Sequence, residues 1–262
     1  MGPFLRVSSD GRQHTIFSLP AGLSSFADLA WAVAPGGAFY ALHGDFKEYK
    51  LVRFKSDGSV DSITNLNIPA DVYITHLAIA DDEVMYVQGY RDTPDPLNKP
   101  REGFAALLNA SGKMIHDLSD GTTELDMSAA QHNPTAGDAV AGEDGRFYVL
   151  GAKELLILNQ NGETAARMKF ERPAPDAYAI RVDYSRGMIS IIFHTVRRSS
   201  PAHAADVEVR SILLNSQTGE QLGYFAFDSE LTGSIVCFDG QEGYSMMAVD
   251  GEMEAKDIVP IR

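Results

Sequence analysis

Side chains that could do chemistry recur at wide intervals along the 262-residue chain. Asp28, His76 and Asp138 each stand at the start of a predicted strand, and Arg181 and Ser234 occupy comparable positions further on. Carboxylates and a neutral imidazole can bind a cation or transfer protons. Alternatively, such groups hydrogen-bond to neighbouring strands or line a water-filled channel, because buried polar groups generally have partners. Either role requires the strands to bring these residues together.

Composition and charge exclude several classes of protein. The 36 acidic and 22 basic residues give a formal charge of −14, which is the wrong sign for holding nucleic acid or an anionic membrane surface. The single cysteine, Cys237, rules out an intrachain disulfide, and its apolar strand predicts a core position. No apolar run reaches the roughly 18 residues of a membrane helix, and residues 1–7 do not resemble a signal peptide. We therefore expect a globular protein without a membrane span.

A repeated hairpin carries most of the structural information. An apolar strand, a polar turn that ends in glycine and a second alternating strand recur roughly every 50 residues, a spacing typical of propeller blades. The turn glycines are Gly11, Gly58, Gly112, Gly162 and Gly219. A second set of hairpins lies between these, with turns at Pro35-Gly36-Gly37, Asp81-Asp82-Glu83, Gly142-Glu143-Asp144-Gly145, Ser185-Arg186-Gly187 and residues 239–243. Alternation of period two favours strands over helices. We predict an all-β protein, a β-propeller of four-stranded antiparallel blades.

The number of blades depends on how the ring closes. In a five-bladed ring, the last blade takes its inner strands from residues 235–249 and its outermost strand from residues 13–19. Residues 4–7 and residues 257–261 both fit its third strand, and this surplus suggests six blades in a longer parent. We predict a single domain over residues 1–262, closed by its two ends, with five blades in this chain and six as the alternative. Only residues 123–131 fit a helix.

The repeat resembles the NHL-type and six-bladed-propeller-like repeats of bacterial secreted proteins. The resemblance rests on strands such as Phe147-Tyr148-Val149-Leu150 and on turns such as Ser56-Asp57-Gly58, and it covers nearly the whole chain. It implies a propeller in an extracytoplasmic location, periplasmic or secreted, that serves as a binding scaffold, and it supplies no catalytic residue. The Trp-Asp signature of WD40 blades is absent, since Ala32 follows the only tryptophan, Trp31.

We expect the functional face at one end of the channel. It consists of the loops that join the second strand of each blade to the third, together with the first residues of the innermost strands. Two such loops, residues 89–103 and 194–209, are longer than a hairpin needs. The predicted ligand-binding residues are Asp28, His76, Asp138, Arg181, Arg91 and His194. As an alternative, Asp28, Asp138 and Glu102 can be drawn as a carboxylate trio of the kind that five-bladed glycosidases place in the channel.

The sequence contains no recognisable catalytic or metal motif. It has no Gly-X-Ser-X-Gly elbow, no P-loop and no dinucleotide fingerprint. His76, His132, His194 and His203 fall on or near the functional face, but no pair has the spacing that indicates a metal site. We predict no cofactor and no histidine metal site, with a divalent cation as the alternative.

Two functions follow from these observations. The first is a monomeric, non-enzymatic binding propeller that presents its loop-rich face to a protein, peptide or glycan, with no nucleic acid partner. The second is a hydrolase or lyase that acts on a carbohydrate or a lactone through channel carboxylates, with or without a divalent metal. Three acidic groups that converge in a deep channel would favour the enzyme, and a plugged channel would argue against it. The sequence leaves both open.

Overall fold

The computed structural model describes residues 4–7, 14–18, 20, 23, 30–44, 48–91, 102–119, 138–151, 153–197, 206–227, 236–239, 242–249 and 252–258. Within these ranges the chain forms strands and turns and no helix, so none of the described elements is a helix that could cross a membrane. Residues 123–131, which fit a helix in the sequence, lie outside the described residues.

The strands form a β-propeller of antiparallel sheets. The first described sheet contains only β1 (Phe4–Val7) and β2 (His14–Phe17). The first blade follows with β3 (Trp31–Val33), β4 (Phe39–Gly44), β5 (Tyr49–Phe54) and β6 (Val60–Leu66). The second blade contains β7 (Val72–Ile79), β8 (Met85–Arg91), β9 (Glu102–Leu108) and β10 (Met114–Asp117). Each blade is a meander, in which sequential strands are neighbours in the sheet.

The second half of the chain repeats this plan. The third blade contains β11 (Ala139–Ala141), β12 (Phe147–Leu150), β13 (Glu154–Leu158) and β14 (Thr164–Lys169). The fourth contains β15 (Tyr178–Ser185), β16 (Met188–Arg197), β17 (Asp206–Asn215) and β18 (Gln221–Phe227). A three-stranded sheet of β19 (Val236–Asp239), β20 (Glu242–Val249) and β21 (Glu252–Ile258) comes last. The predicted fold class is therefore confirmed.

The turn glycines predicted from the repeat lie where left-handed backbone is needed. Gly58, Gly112, Gly162 and Gly219 have φ angles of 85°, 77°, 82° and 74°. Glycine adopts this conformation without the steric cost that a Cβ atom imposes, which explains why each outer hairpin turns there. Gly11 lies outside the described residues.

The core lies between the blades, because alternate side chains of each strand face opposite neighbours. Leu42 and Leu51 of the first blade pack with Ile79 and Phe104 of the second. Equivalent clusters join the second blade to the third and the third to the fourth. The innermost strands β3, β7, β11, β15 and β19 lie side by side in that order. These contacts arrange the blades around a central channel.

The two ends of the chain form separate sheets in the described structure. β1 pairs with β2, with Leu5 opposite Ile16, and β21 is the third strand of the last sheet. Phe17 of β2 is buried and packs on the face of the first blade that points away from the second, against Phe39 and Phe54. Of the two segments that fit one third-strand position in the sequence, residues 4–7 form β1, and residues 257–258 belong to β21. Residues 259–261 lie outside the described residues. The closure of the ring and the number of blades remain predictions.

Candidate functional site

The channel contains a cavity of about 700 Å³. Its walls come from the innermost strands β3, β7, β11 and β15, one from each four-stranded blade. Tyr178 and His194 lie where the innermost strands begin, and Pro35, Glu143 and Ser185 lie where they end. The cavity therefore runs along the channel. Of the predicted ligand-binding residues, His76, Asp138, Arg181 and His194 line it.

Two β-bulges place polar residues on the channel wall. The register of β7 against β8 shifts between Ile74 and His76, and that of β15 against β16 shifts between Ala179 and Arg181. A bulge adds an unpaired residue and redirects the side chains that follow it, and bulges are frequent beside functional sites. His76 and Arg181 are thus the first paired residues after the irregularity in their strands.

Gly89 makes the bulge in β7 sterically feasible. It stands opposite Ile74 in the register. A Cβ atom on Gly89 would lie 1.8 Å from the carbonyl oxygen of Tyr73 and 2.9 Å from the Cα atom of Ile74. Since no side chain fits in that space, glycine is required for the close approach of the two backbones.

Arg181 spans the channel from the fourth blade to the first. Its Nε and Nη2 atoms donate hydrogen bonds to Oδ1 of Asp183 at 3.1 and 2.9 Å. Its guanidinium carbon lies 5.4 Å from the centre of the Trp31 ring, within the range of a cation–π contact. The two anchors hold the guanidinium at a defined place in the cavity.

Asp138 has the most perturbed carboxyl on the channel wall. Its Oδ2 atom accepts a hydrogen bond from the backbone N–H of Val182 at 2.9 Å. Burial raises its pKa to about 7, because desolvation penalises the charged form more than Arg181 and the Val182 N–H stabilise it, and the nearby Asp183 adds to the rise. Asp138 is partly exposed and lines the cavity. At neutral pH the carboxyl is partly protonated.

His76 is neutral at neutral pH. Burial lowers its pKa to about 4, and its Nδ1 atom lies 2.9 Å from the hydroxyl of Thr75. That hydroxyl is also 3.3 Å from the carbonyl of Gln88. When it donates to the carbonyl it can only accept from Nδ1, which leaves Nε2 as the acceptor of the ring.

An aromatic pair lies at the end of the cavity where the innermost strands begin. Tyr178 and His194 face each other across β15 and β16, with ring centres 6.1 Å apart and an interplanar angle of 76°. Tyr178 is 39% exposed, which is unusual for a large side chain in the wall of a cavity. Burial lowers the pKa of His194 below its usual value, so this ring is also neutral at neutral pH.

Two described residues that the sequence analysis singled out, Arg91 and Glu102, do not line the cavity. Arg91 forms an ion pair with Asp71, with Nη1 at 3.1 Å from Oδ2, and its guanidinium lies 5.3 Å from the centre of the Phe104 ring. Glu102 is exposed on β9, opposite Arg91 in the register, and does not line the cavity with Asp138, the other described member of the predicted carboxylate trio. Asp28, Ser234, His132 and His203 lie outside the described residues, as do residues 92–101 and 198–205 of the two long loops.

Among the side chains that the structure describes, no three His, Cys, Asp or Glu residues are close enough together to hold a metal ion. On the cavity wall, Asp138 feels the charge of Asp183, and Asp183 is paired with Arg181. A structural cation at this position would have to compete with the guanidinium. The described wall therefore provides a mixed donor and acceptor surface instead of a cation cage.

Known proteins share the general shape of this chain and little of its sequence. No family model and no curated protein matches it. A protein of unknown function from Bacteroides caccae is 12% identical, with 94% of this chain and 78% of that chain covered and a TM-score of 0.48. The PQQ-bound aldose sugar dehydrogenase of Streptomyces coelicolor is 13% identical, with 99% and 87% covered and a TM-score of 0.48. TolB from Acinetobacter baumannii is 14% identical with a TM-score of 0.49, and 99% of this chain spans only 59% of it. Similarities this distant carry no site or activity over, so the function is argued from the cavity.

Sequence reasoning missed two residues of the wall, Trp31 and Asp183. Asp183 could have been found, since it is two residues after Arg181 in the same strand and period-two alternation places both on one face. Trp31 stands in the innermost strand of the first blade, but nothing in the sequence indicates that Arg181 reaches it across the channel.

Proposed function

We propose that the protein is a non-enzymatic binding propeller that presents the end of its channel beside Tyr178 and His194 to a protein, peptide or glycan. The observation that supports this most strongly is the open cavity of about 700 Å³ with polar and aromatic side chains from four blades in its wall. Ligand pockets in proteins typically measure about 300–1,000 Å³ and combine an apolar lining with a few placed polar groups. We include an extracytoplasmic location, a monomeric state and an NHL-type repeat in the proposal, on the basis of the resemblance in the sequence.

The arrangement of charge in the wall supports binding over turnover. Arg181 and Asp183 neutralise each other through two hydrogen bonds, so neither offers an unopposed charge to a reacting centre. His76 has a pKa of about 4 and is a poor general base at neutral pH. These groups are suited to fixing the position of a ligand.

A second candidate is a carbohydrate- or lactone-active hydrolase, and one observation favours it. The pKa of Asp138, about 7, is that of a carboxyl that can give and take a proton near neutral pH, a common property of catalytic acids. A hydrolase of this kind needs a second carboxylate on the other side of the bond to be broken. Asp183 is the described candidate, and its carboxylate is already paired with Arg181.

A screen with two readouts separates the candidates. The full chain is applied to an array of glycans and an array of peptides, and the solution over each bound ligand is then analysed for products by mass spectrometry. The proposal expects binding to at least one array and no products. Cleavage of a bound ligand would establish the hydrolase, and an absence of binding on both arrays would contradict the binding function.

The location is tested with a paired variant. Replacing Arg181→Gln and Asp183→Asn together removes both charges, which avoids leaving one half-buried charge without its partner. Binding should fall at least tenfold. The matched control is Arg167→Gln with Glu154→Gln, which removes an ion pair from the outer strands β13 and β14 of the third blade and should leave binding unchanged. Equal binding by both double variants would place the ligand outside the channel.

A further inference from the structure

The cavity wall points to the chemical class of the ligand. We propose that the channel binds an uncharged, polyhydroxylated ligand, namely a short neutral oligosaccharide. One sugar ring stacks on Tyr178, and the hydroxyl groups of the adjacent sugar form hydrogen bonds with the Arg181–Asp183 pair. This inference rests on the binding function proposed above and narrows it to one ligand class.

The charged groups deep in the cavity cancel one another. Arg181 and Asp183 form a hydrogen-bonded ion pair whose side chains are 26% and 22% exposed. Asp138 beside them is partly protonated, since its pKa is about 7. The ion pair offers an unopposed partner charge neither to a cationic nor to an anionic ligand. A neutral ligand loses least on entering this part of the cavity, because burying an unpaired charge is costly.

The other titratable groups of the wall are neutral or remote. Burial lowers the pKa values of His76 and His194, which makes both rings uncharged at neutral pH, and burial raises the pKa of Tyr184, which keeps its hydroxyl protonated. Glu143 is the exception, and it lies in the exposed turn after β11, at the opposite end of the cavity from Tyr178. Apart from the partly ionised Asp138, the half of the channel that begins at Tyr178 therefore has no unopposed charge among its described residues.

Both hydrogen-bond donors and hydrogen-bond acceptors line this part of the cavity. The Arg181–Asp183 pair presents N–H donors and carboxylate acceptors side by side, and the partly protonated carboxyl of Asp138 can act as either. Sugar hydroxyls also donate and accept, so a vicinal pair of hydroxyls complements such a surface. A ligand with only hydrogen-bond donors, or only hydrogen-bond acceptors, would pair with only half of the polar groups on this surface.

Tyr178 supplies the apolar part of the site. Its ring is 39% exposed at the end of the cavity and is held by the edge-to-face contact with His194. A fixed aromatic ring offers a flat apolar surface at little cost in side-chain entropy. The axial C–H groups of a pyranose present a matching surface. The cavity volume of about 700 Å³ has room for two or three sugar units.

Isothermal titration calorimetry on the full chain tests the ligand class. The neutral probes are cellobiose, maltose, lactose and mannobiose, and the charged probes of similar size are the glucosamine dimer and the galacturonate dimer. We expect at least one neutral disaccharide to bind at least tenfold more tightly than both charged dimers. Its Kd should change less than twofold between 50 and 500 mM NaCl, because screening affects only charged contacts.

The Tyr178→Ala variant tests the position of the ligand, and Tyr73→Ala is the matched control. Tyr73 lies on the innermost strand β7, but its ring packs against Tyr90, at 5.1 Å between ring centres, and does not line the cavity. Circular dichroism and thermal melting first establish that both variants are folded. The Kd of the neutral disaccharide should rise at least tenfold in Tyr178→Ala and less than twofold in Tyr73→Ala.

Failure of this inference can be told apart from failure of the binding function. Tighter binding of a charged dimer, or no binding of any sugar together with a hit on the peptide array, would overturn the ligand class and leave the binding function in place. Neutral sugar binding that is equal in the two tyrosine variants would overturn the stacking role. Binding to neither sugars nor peptides, or cleavage of the bound disaccharide, would overturn both.

Discussion

The guanidinium of Arg181 lies 5.4 Å from the centre of the Trp31 ring and joins the innermost strand of the fourth blade to that of the first across the channel. Adjacent blades share apolar clusters, whereas these two blades are not neighbours in the order of innermost strands. The contact therefore crosses the space that a ligand would enter. It makes Trp31, the only tryptophan of the chain, a reporter of that space.

Removing the ion pair should change the emission of Trp31. In the Arg181→Gln, Asp183→Asn double variant, the ring loses the cation above it and gains contact with water, so its emission maximum should shift to longer wavelength. The Arg167→Gln, Glu154→Gln control should emit like the wild type. Identical spectra from all three proteins would show that Arg181 does not cover Trp31 in solution.

Asp138→Asn should stabilise the protein at high pH and not at low pH. The pKa of Asp138 is raised from 3.8 to about 7 in the fold, so the wild type loses stability as the pH rises through that range. An asparagine stays neutral and can still accept the hydrogen bond from the Val182 N–H. We expect the variant to be more stable by about 1–4 kcal/mol at pH 8 and equally stable at pH 4.

Urea denaturation of both proteins at intervals from pH 4 to pH 8 measures this difference. His76 acts in the opposite sense, since its pKa is lowered to about 4 and its contribution is lost as the pH falls below about 6.5. This loss of stability occurs in both the wild type and Asp138→Asn, so it cancels in the difference between their free energies of unfolding. A difference that does not vary with pH would mean that the carboxyl of Asp138 is not desolvated.

Gly89→Ala should destabilise the second blade. The new Cβ atom would lie 1.8 Å from the carbonyl oxygen of Tyr73, and backbone cannot move aside as a side chain can. We expect a loss of about 1–3 kcal/mol or more in the free energy of unfolding. Gly36→Ala is the control, because its nearest neighbour would be the exposed end of the Asp81 side chain at 3.0 Å. Equal melting temperatures of the two variants would contradict the bulge geometry.

Phe17→Ala should destabilise the first blade. Phe17 is 2% exposed, and its ring centre lies 4.9 Å from that of Phe39 and 5.6 Å from that of Phe54. Truncating a buried phenylalanine costs roughly 3–5 kcal/mol. Val33→Ala, at a side chain that is 49% exposed, should cost much less.

Deletion of residues 1–20 tests the predicted role of the first segment in closing the ring. The deletion removes Phe17 and the strands β1 and β2, and it uncovers one face of the first blade. The truncated protein should melt much earlier or aggregate, because exposed strand edges and apolar faces associate. A monomeric protein with the melting temperature of the full chain would show that the segment is dispensable.

The fold could be predicted from the sequence because it depends on local signals. Turn glycines such as Gly58 and Gly162 require a conformation that only glycine adopts easily, and period-two alternation fixes which side chains enter the core. Repetition of one unit then gives the four-stranded blades without any long-range information. The sequence does not decide which end segment belongs to the last blade, since residues 4–7 and 257–261 carry the same pattern.

The candidate site could be predicted only in part, because some of its contacts depend on distances between blades and not on local signals. The sequence placed His76, Asp138 and Arg181 on the wall as the first residues of innermost strands, and all three line the cavity. His76 and Arg181 nevertheless lie inside β7 and β15, next to bulges that the sequence did not indicate. The pairing of Arg181 with Trp31 depends on the width of the channel, and the raised pKa of Asp138 depends on how completely neighbouring blades exclude water. Arg91, predicted within the loop of residues 89–103, is the last residue of β8, pairs with Asp71 and does not line the cavity.

Protection of Trp31 from acrylamide is the most direct test that the channel is the binding site. The wild type is saturated with its tightest ligand from the arrays or the calorimetry, and the quenching of the single tryptophan is compared with that of the unliganded protein. A ligand in the cavity must cover the partly exposed ring, so the quenching constant should fall at least twofold. An unchanged quenching constant at saturation would contradict the account, because it would place the bound ligand elsewhere on the protein.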